Sequence, residues 1–414
     1  MPVPTPAPAA PVDLRAARRV AFYSHDTQGL GHTRRNIALA AALVRARPGT
    51  DVLLITGNPE ACALPLPPNT DVLTLPTIRK TGAGRYASRA LSSPLEVVLD
   101  LRARMLEAAL GSFAPDLLVV DKVAAGLEGE LLPALRTLRE QGGTRVVLGL
   151  REVLDRPEVT IAEWARSGST DVVTRHYDAV WVYGDPAVYD PVAEYRLPPE
   201  VAALVTCTGY LGHGRGDDVR PRTRPTARVR PPEEPYVLCT VGGGQDGQEL
   251  ARAFADAPLP AGHRGVLLTG PFMKRSIREA VAAAAAGNDR LTVLEFVPDC
   301  EEFIAGAAAV VSMGGYNSVC ELLAGGGRAL VVPRVRPRAE QLLRAERLAE
   351  RGLLDWCHPD ALTPAVLGDW LAAAVTGPAP AGEPVDLDGL RRVPELADRL
   401  LAGTGRVGAV GRAA

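Results

Sequence analysis

The residues best suited to chemistry lie within 310–341, VVSMGGYNSVCELLAGGGRALVVPRVRPRAEQ. An apolar strand pattern ends at the turn of Gly314 and Gly315, and after Tyr316 and Asn317 a helical pattern runs over 318–324. A second glycine turn, another apolar strand and Pro333 complete the unit, which closes on Glu340 and Gln341. Glycines just before a helix let backbone N–H groups approach an anion, and the helix N-terminus favours negative charge. Glu321 is the only acid inside that helix, and its carboxylate suits sugar hydroxyls. The segment is therefore expected to hold a ligand that joins phosphate to sugar.

Two further glycine loops have related chemistry. Gly242, Gly243 and Gly244 precede Gln245, and three consecutive glycines cost backbone entropy unless a close approach requires them. A phosphate resting on the following helix N-terminus would supply that reason, with Gln245 as side-chain donor. The other loop, SHDTQGLGH at 24–32, sits between an apolar strand and a helical pattern starting near Thr33. Gly29 and Gly31 permit close backbone approach, while His25, Asp26 and His32 are titratable. A histidine beside a glycine loop can act as a base near neutral pH. Asp26 is open to three roles: orienting a histidine, acting as the base, or capping the turn. Arg34 and Arg35 oppose the helix macrodipole, at a cost of roughly tenths of a kcal/mol, which a phosphate or an acid across a cleft would offset. Phe296 and Val297, at another strand end, are candidates for reading a nucleobase edge through backbone groups and an apolar wall.

Parallel α/β structure is what positions such loops. Apolar runs at 20–23, 52–55, 72–75, 117–120, 146–150 and 179–182 alternate with helical patterns. A second series has strands at 236–241, 265–269, 291–296, 308–312 and 329–332. Continuous apolar strands of this kind suit a sheet covered by helices on both faces. Residues 213–235, rich in Arg, Pro, Gly and Asp, read as a solvated linker, and the five arginines between 220 and 230 as part of it. The expected organisation is a disordered Pro/Ala tail at 1–18, a Rossmann-like domain at 19–212, that linker, and a second Rossmann-like domain at 236–376. A C-terminal helix and tail at 377–414 would return to the first domain. Ligands would collect in the cleft between the two.

Composition narrows the function classes. The 414-residue chain has a formal net charge of −2 and 5% aromatic residues, which does not suggest nucleic acid as a partner. Six scattered cysteines without a CxxC pair suggest a reducing compartment, so a cytoplasmic location is expected. No apolar run approaches the ~20 residues of a membrane span, so stable membrane insertion is not expected.

Together these residues resemble the GT-B fold glycosyltransferases of family 28, the MurG-like enzymes. The resemblance runs from about residue 20 to 354 and is more specific in the second half. It implies a donor site in which Glu321 holds ribose, while Glu340 and Gln341 touch the donor sugar. Gly243, Gly244 and Gln245 match the family's Gly-Gly-Ser-Gln loop, with Gly244 standing where the hydroxyl residue would be. Gly29, Gly31 and His32 match a glycine loop ending in a catalytic histidine, with Arg34 and Arg35 beside an acceptor or phosphate.

The implied reaction moves a hexosyl or N-acetylhexosaminyl group from a nucleoside-diphosphate sugar to a small-molecule or glycan acceptor. UDP-sugar is the family default, with no cofactor and no metal. His32, helped by Asp26, would be the base. No DxD follows a strand: Asp217-Asp218 lies in the linker and Asp386-Leu387-Asp388 opens the last helix. Two alternatives remain open: a sugar-nucleotide epimerase on the same fold, and a non-catalytic nucleotide-sugar-binding protein.

Overall fold

The computed structural model describes residues 18–26, 29–81, 85–215, 229–297, 300–378 and 380–403. The Pro/Ala tail at 1–17, most of the arginine-rich linker with Asp217-Asp218, and the last eleven residues lie outside them.

The first domain is a seven-stranded parallel sheet. Its strands are β1 (Arg19–Ser24), β2 (Asp51–Thr56), β3 (Thr70–Thr74), β6 (Leu117–Asp121), β7 (Arg145–Arg151), β8 (Ala179–Tyr183) and β9 (Val205–Cys207), in the order β3-β2-β1-β6-β7-β8-β9. A small antiparallel hairpin, β4 (Ile78–Lys80) and β5 (Tyr86–Ser88), stands apart. The second domain has six parallel strands: β10 (Tyr236–Thr240), β11 (Arg264–Leu268), β12 (Leu291–Leu294), β13 (Ala309–Ser312), β14 (Arg328–Val331) and β15 (Asp355–Trp356). Their order is β12-β11-β10-β13-β14-β15. The continuous apolar runs exist because helices cover both faces: all five residues of β6 and of β10 are buried.

Both sheets reverse winding direction beside their first strand. The reversal falls between β1 and β6 in the first sheet and between β10 and β13 in the second. At such a switch point adjacent loops leave the strand ends in opposite directions and open a crevice. The loops carrying His32, Gly243 and Gly314 all start at these two points.

A single apolar cluster joins the domains, running from Phe22 and Leu43 through Tyr210 and Tyr316 to Val319 and Val331. Tyr210 and Tyr316 stack with ring centroids 6.2 Å apart. The helix Gly389–Ala402 packs on the helix Gly31–Ala46, and Asp398 pairs with Arg18 and Arg47 of the first domain. Arg344 of the second domain meets Glu152 of the first at 2.6 Å, both side chains fully buried. Breaking such a pair strands an uncompensated charge and costs about 3–5 kcal/mol, so this contact helps fix how the domains face each other.

Candidate active site

His32 lies in the first turn of the helix Gly31–Ala46, which starts two residues earlier than the hydrophobic pattern suggests. Its Nδ1 is 2.9 Å from Asp121 Oδ2, at the end of the neighbouring strand β6. Arg35, one turn further along the helix, reaches both Asp121 oxygens at 2.6 and 2.5 Å, and its Nη2 is 2.9 Å from His32 Nδ1. The carboxylate only accepts, and its shorter contacts take the guanidinium hydrogens. The imidazole proton therefore belongs on Nδ1, and Nε2 is left free to accept a proton. Burial favours protonation of Asp121, but the Arg35 guanidinium and then His32 outweigh it and hold this carboxyl well below the usual carboxylate range. The result is an oriented base on a permanently ionised acid.

Asp121 was not singled out from the sequence, because it reads as the polar end of an apolar strand and lies 89 residues from His32. Asp26 does not take that orienting place, since it has no hydrogen bond to His32. Its Oδ2 instead accepts from the hydroxyls of Ser24, Thr56 and Thr33 at 2.6, 2.7 and 3.1 Å. Its Oδ1 is buried without a partner among the described residues. Asp26 also lines a cavity of about 190 Å³ between the domains, with Gly29, Asn58 and Arg89 on one side and Gln245 and Phe272 on the other. His25 stacks obliquely on His32 at 5.8 Å, and burial, with His32 and Lys122 nearby, holds its pKa down to about 3.

The helix Tyr316–Gly325 begins directly after Gly315, so Tyr316 and Asn317 belong to its first turn. Gly314 has φ 73°, and a Cβ there would lie 2.5 Å from Val331, so only glycine fits this turn. Glu321 is buried and bonds Arg34 of the first domain at 2.8 Å, with Arg215 at 3.9 Å. Asn317 donates to the Gly31 carbonyl at 2.9 Å and accepts from Arg215 at 3.1 Å. Tyr316 is buried under two cations, with Arg35 and Arg344 at 5.6 and 5.5 Å from its ring centroid. These side chains thus join the domains to one another, and the acid across the cleft from Arg34 is Glu321.

In the glycine loop after β10, Gly244 has φ 86° and a Cβ would fall 2.2 Å from the Thr269 carbonyl. The space a serine would need is taken by the loop 270–273, so packing within the domain demands glycine here. Gly243 and Gln245 remain exposed. Phe296 is 47% exposed, whereas Val297 is buried. Glu340 accepts from Arg334 at 2.5 Å, and Gln341 accepts from the Arg334 amide at 2.9 Å, so the pair clamps the loop before its own helix. Arg334 was not anticipated from the sequence.

Two facing, doubly wound parallel domains with glycine-bearing loops at both switch points define a GT-B fold protein. Residues 237–375 match the glycosyltransferase family 28 C-terminal domain, and this part of the chain is such a domain. The UDP-N-acetylglucosamine–N-acetylmuramyl-(pentapeptide) pyrophosphoryl-undecaprenol N-acetylglucosamine transferase of Haemophilus influenzae is 24% identical over 161 residues. That match covers 39% of this chain and 46% of the relative, so the chain spans about half the length of the curated protein it matches. The calicheamicin glycosyltransferase CalG4 superposes with a TM-score of 0.57 at 19% identity, covering 95% of this chain and 99% of that one. MurG of Acinetobacter baumannii gives 0.51 at 16% identity, covering 92% and 99%.

Proposed function

We propose that this chain is a glycosyltransferase that moves a hexosyl group, in one form an N-acetylhexosaminyl group, from a nucleoside-diphosphate sugar to an acceptor hydroxyl or amine, with inversion. The observation that carries this reading is the His32–Asp121 pair at one switch point, facing a family 28 C-terminal domain at the other. His32 takes the acceptor proton on Nε2 while Asp121 stabilises the imidazolium that forms. Amides at Gly243, Gln245, Gly315 and Tyr316 stabilise the charge that builds on the departing diphosphate, each worth about 2–4 kcal/mol if the loss of one preorganised donor is a guide. Those amides serve in place of a metal ion. Ribose hydroxyls take the place of Arg34 on Glu321, while Glu340 and Gln341 face the sugar.

A thermal-shift screen with UDP, dTDP and GDP tests the donor half, because a ligand of the folded state raises its midpoint. One diphosphate should stabilise the wild type, and Glu321→Ala should abolish the shift. With the matching sugar nucleotide and a pooled acceptor library, His32→Ala should lose transfer yet retain donor binding, and EDTA should have no effect. Transfer undiminished in His32→Ala removes the base assignment. A new sugar isomer formed from donor alone replaces the transferase with an epimerase.

A further inference from the structure

Lys122 and Arg151 stand at the carboxyl ends of the adjacent strands β6 and β7, on the His32 side of the cleft. Neither side chain makes a hydrogen bond or ion pair with any described residue. The surrounding acids are engaged elsewhere. Asp121 holds Arg35, Glu152 holds Arg344, and Glu163 with Asp155 holds Arg338. Glu340 gives one oxygen to Arg334 and keeps Oε2 buried without a donor. Arg151 pairs in register with Tyr183, whose buried hydroxyl also has no partner. Lys122 holds a left-handed backbone, φ 70°, which a non-glycine residue adopts only when its surroundings compel it.

Two unpaired cations at neighbouring strand ends repel each other and have lost part of their hydration. We propose that Lys122 and Arg151 form the anion subsite of the acceptor, receiving a doubly charged oxyanion, a phosphoryl group, close to the hydroxyl or amine that His32 deprotonates. This rests on the transferase reading for the identity of the acceptor, and not for the existence of the site. Two positive charges match a dianion, and arginine grips its oxygens in a planar fork while lysine serves as a point charge.

The electrostatics give the site a signature. Burial, then Arg151 and Arg338, lower the Lys122 pKa to about 7, opposed by Glu163 and Glu340. His25, after β1, also feels the Lys122 charge. Burial likewise lowers Arg151 to about 10. A bound dianion favours the charged lysine, so binding slightly above neutral pH should draw a proton from the buffer.

The test titrates inorganic phosphate into the full-length protein saturated with UDP, by calorimetry in buffers of different ionisation enthalpy. Wild type should bind phosphate with uptake of a fraction of a proton. Lys122→Met and Arg151→Met should each weaken it roughly 10- to 100-fold, as expected for loss of a charged hydrogen bond. Their UDP affinity should be unchanged, and the proton uptake should vanish in Lys122→Met. Absence of phosphate binding in the wild type, or binding in either variant as tight as in the wild type, overturns the subsite. Acetate binding as tightly as phosphate overturns the phosphoryl assignment. If UDP fails to bind while phosphate still depends on both residues, the donor reading falls and the anion site stands.

Discussion

Replacing Asp121 with asparagine removes the charge that faces Arg35 and His32 while keeping the side-chain shape. Both Asp121 and Arg35 are only 2% exposed, so the variant leaves a buried guanidinium without its counter-ion. Removing one partner of a buried pair costs about 3–5 kcal/mol; asparagine still offers an acceptor oxygen, which puts the expected loss near 3. The kinetic effect has another origin. With its oxygen turned to Arg35, the new amide presents N–H groups to His32 Nδ1, which then becomes an acceptor. The imidazole proton moves to Nε2, and the base is in the wrong tautomer. Correctly placed acid–base catalysis is worth about 10²–10⁴ in rate, or about 3–5 kcal/mol of barrier. Asp121→Asn should therefore melt earlier, bind UDP as the wild type does, and lose two or more decades in kcat for sugar transfer. A variant with the lowered melting point but kcat within about threefold of wild type would refute the reasoning, reducing Asp121 to a structural partner of Arg35.

Two other substitutions probe the interface and the pH response. Arg34 is 37% exposed, so its bond to buried Glu321 is discounted for solvent screening to about 1 kcal/mol. If ribose must displace Arg34, Arg34→Gln should bind UDP about fivefold tighter by calorimetry; weaker binding would mean that Arg34 itself grips the donor. His25 gives a pH test whose sign follows from its depressed pKa of about 3, against about 6.5 when unfolded. The unfolded chain binds that proton first, so stability is complete above pH 6.5 and falls as the pH drops towards 3, by up to about 1.4 kcal/mol per unit. Urea unfolding between pH 7 and 4.5 should show a shallower loss for His25→Gln than for wild type, and parallel slopes would contradict the burial argument. Asp121 does not confuse this window, because its depressed pKa leaves its contribution to stability fully present above about pH 4 and lost only below it.

The fold was legible because its signals are local. Buried parallel strands are continuous apolar runs, and β1, β6, β10 and β13 each stand out within a few residues of sequence. The shortest elements were not. β9, β15 and the hairpin of β4 and β5 have two or three residues each, too few to establish a period. Gly314 and Glu321 were legible as a unit because one turn and one helix connect them.

What the chain alone determined was therefore the alternation of strands and helices, the glycine turns at strand ends, and the candidate residues those turns carry. What only the tertiary structure decided was their pairing. Asp121 rather than Asp26 meets His32, Arg34 meets Glu321 across 287 residues, and Arg344 meets Glu152 across 192. Lys122 and Arg151 come within reach of each other's charge because β6 and β7 are neighbours in the sheet. The physical reason is that helical and strand periods act over a few residues, whereas charge pairing depends on distance in space. Strand order sets that distance, and it emerges only when two sheets choose where to reverse.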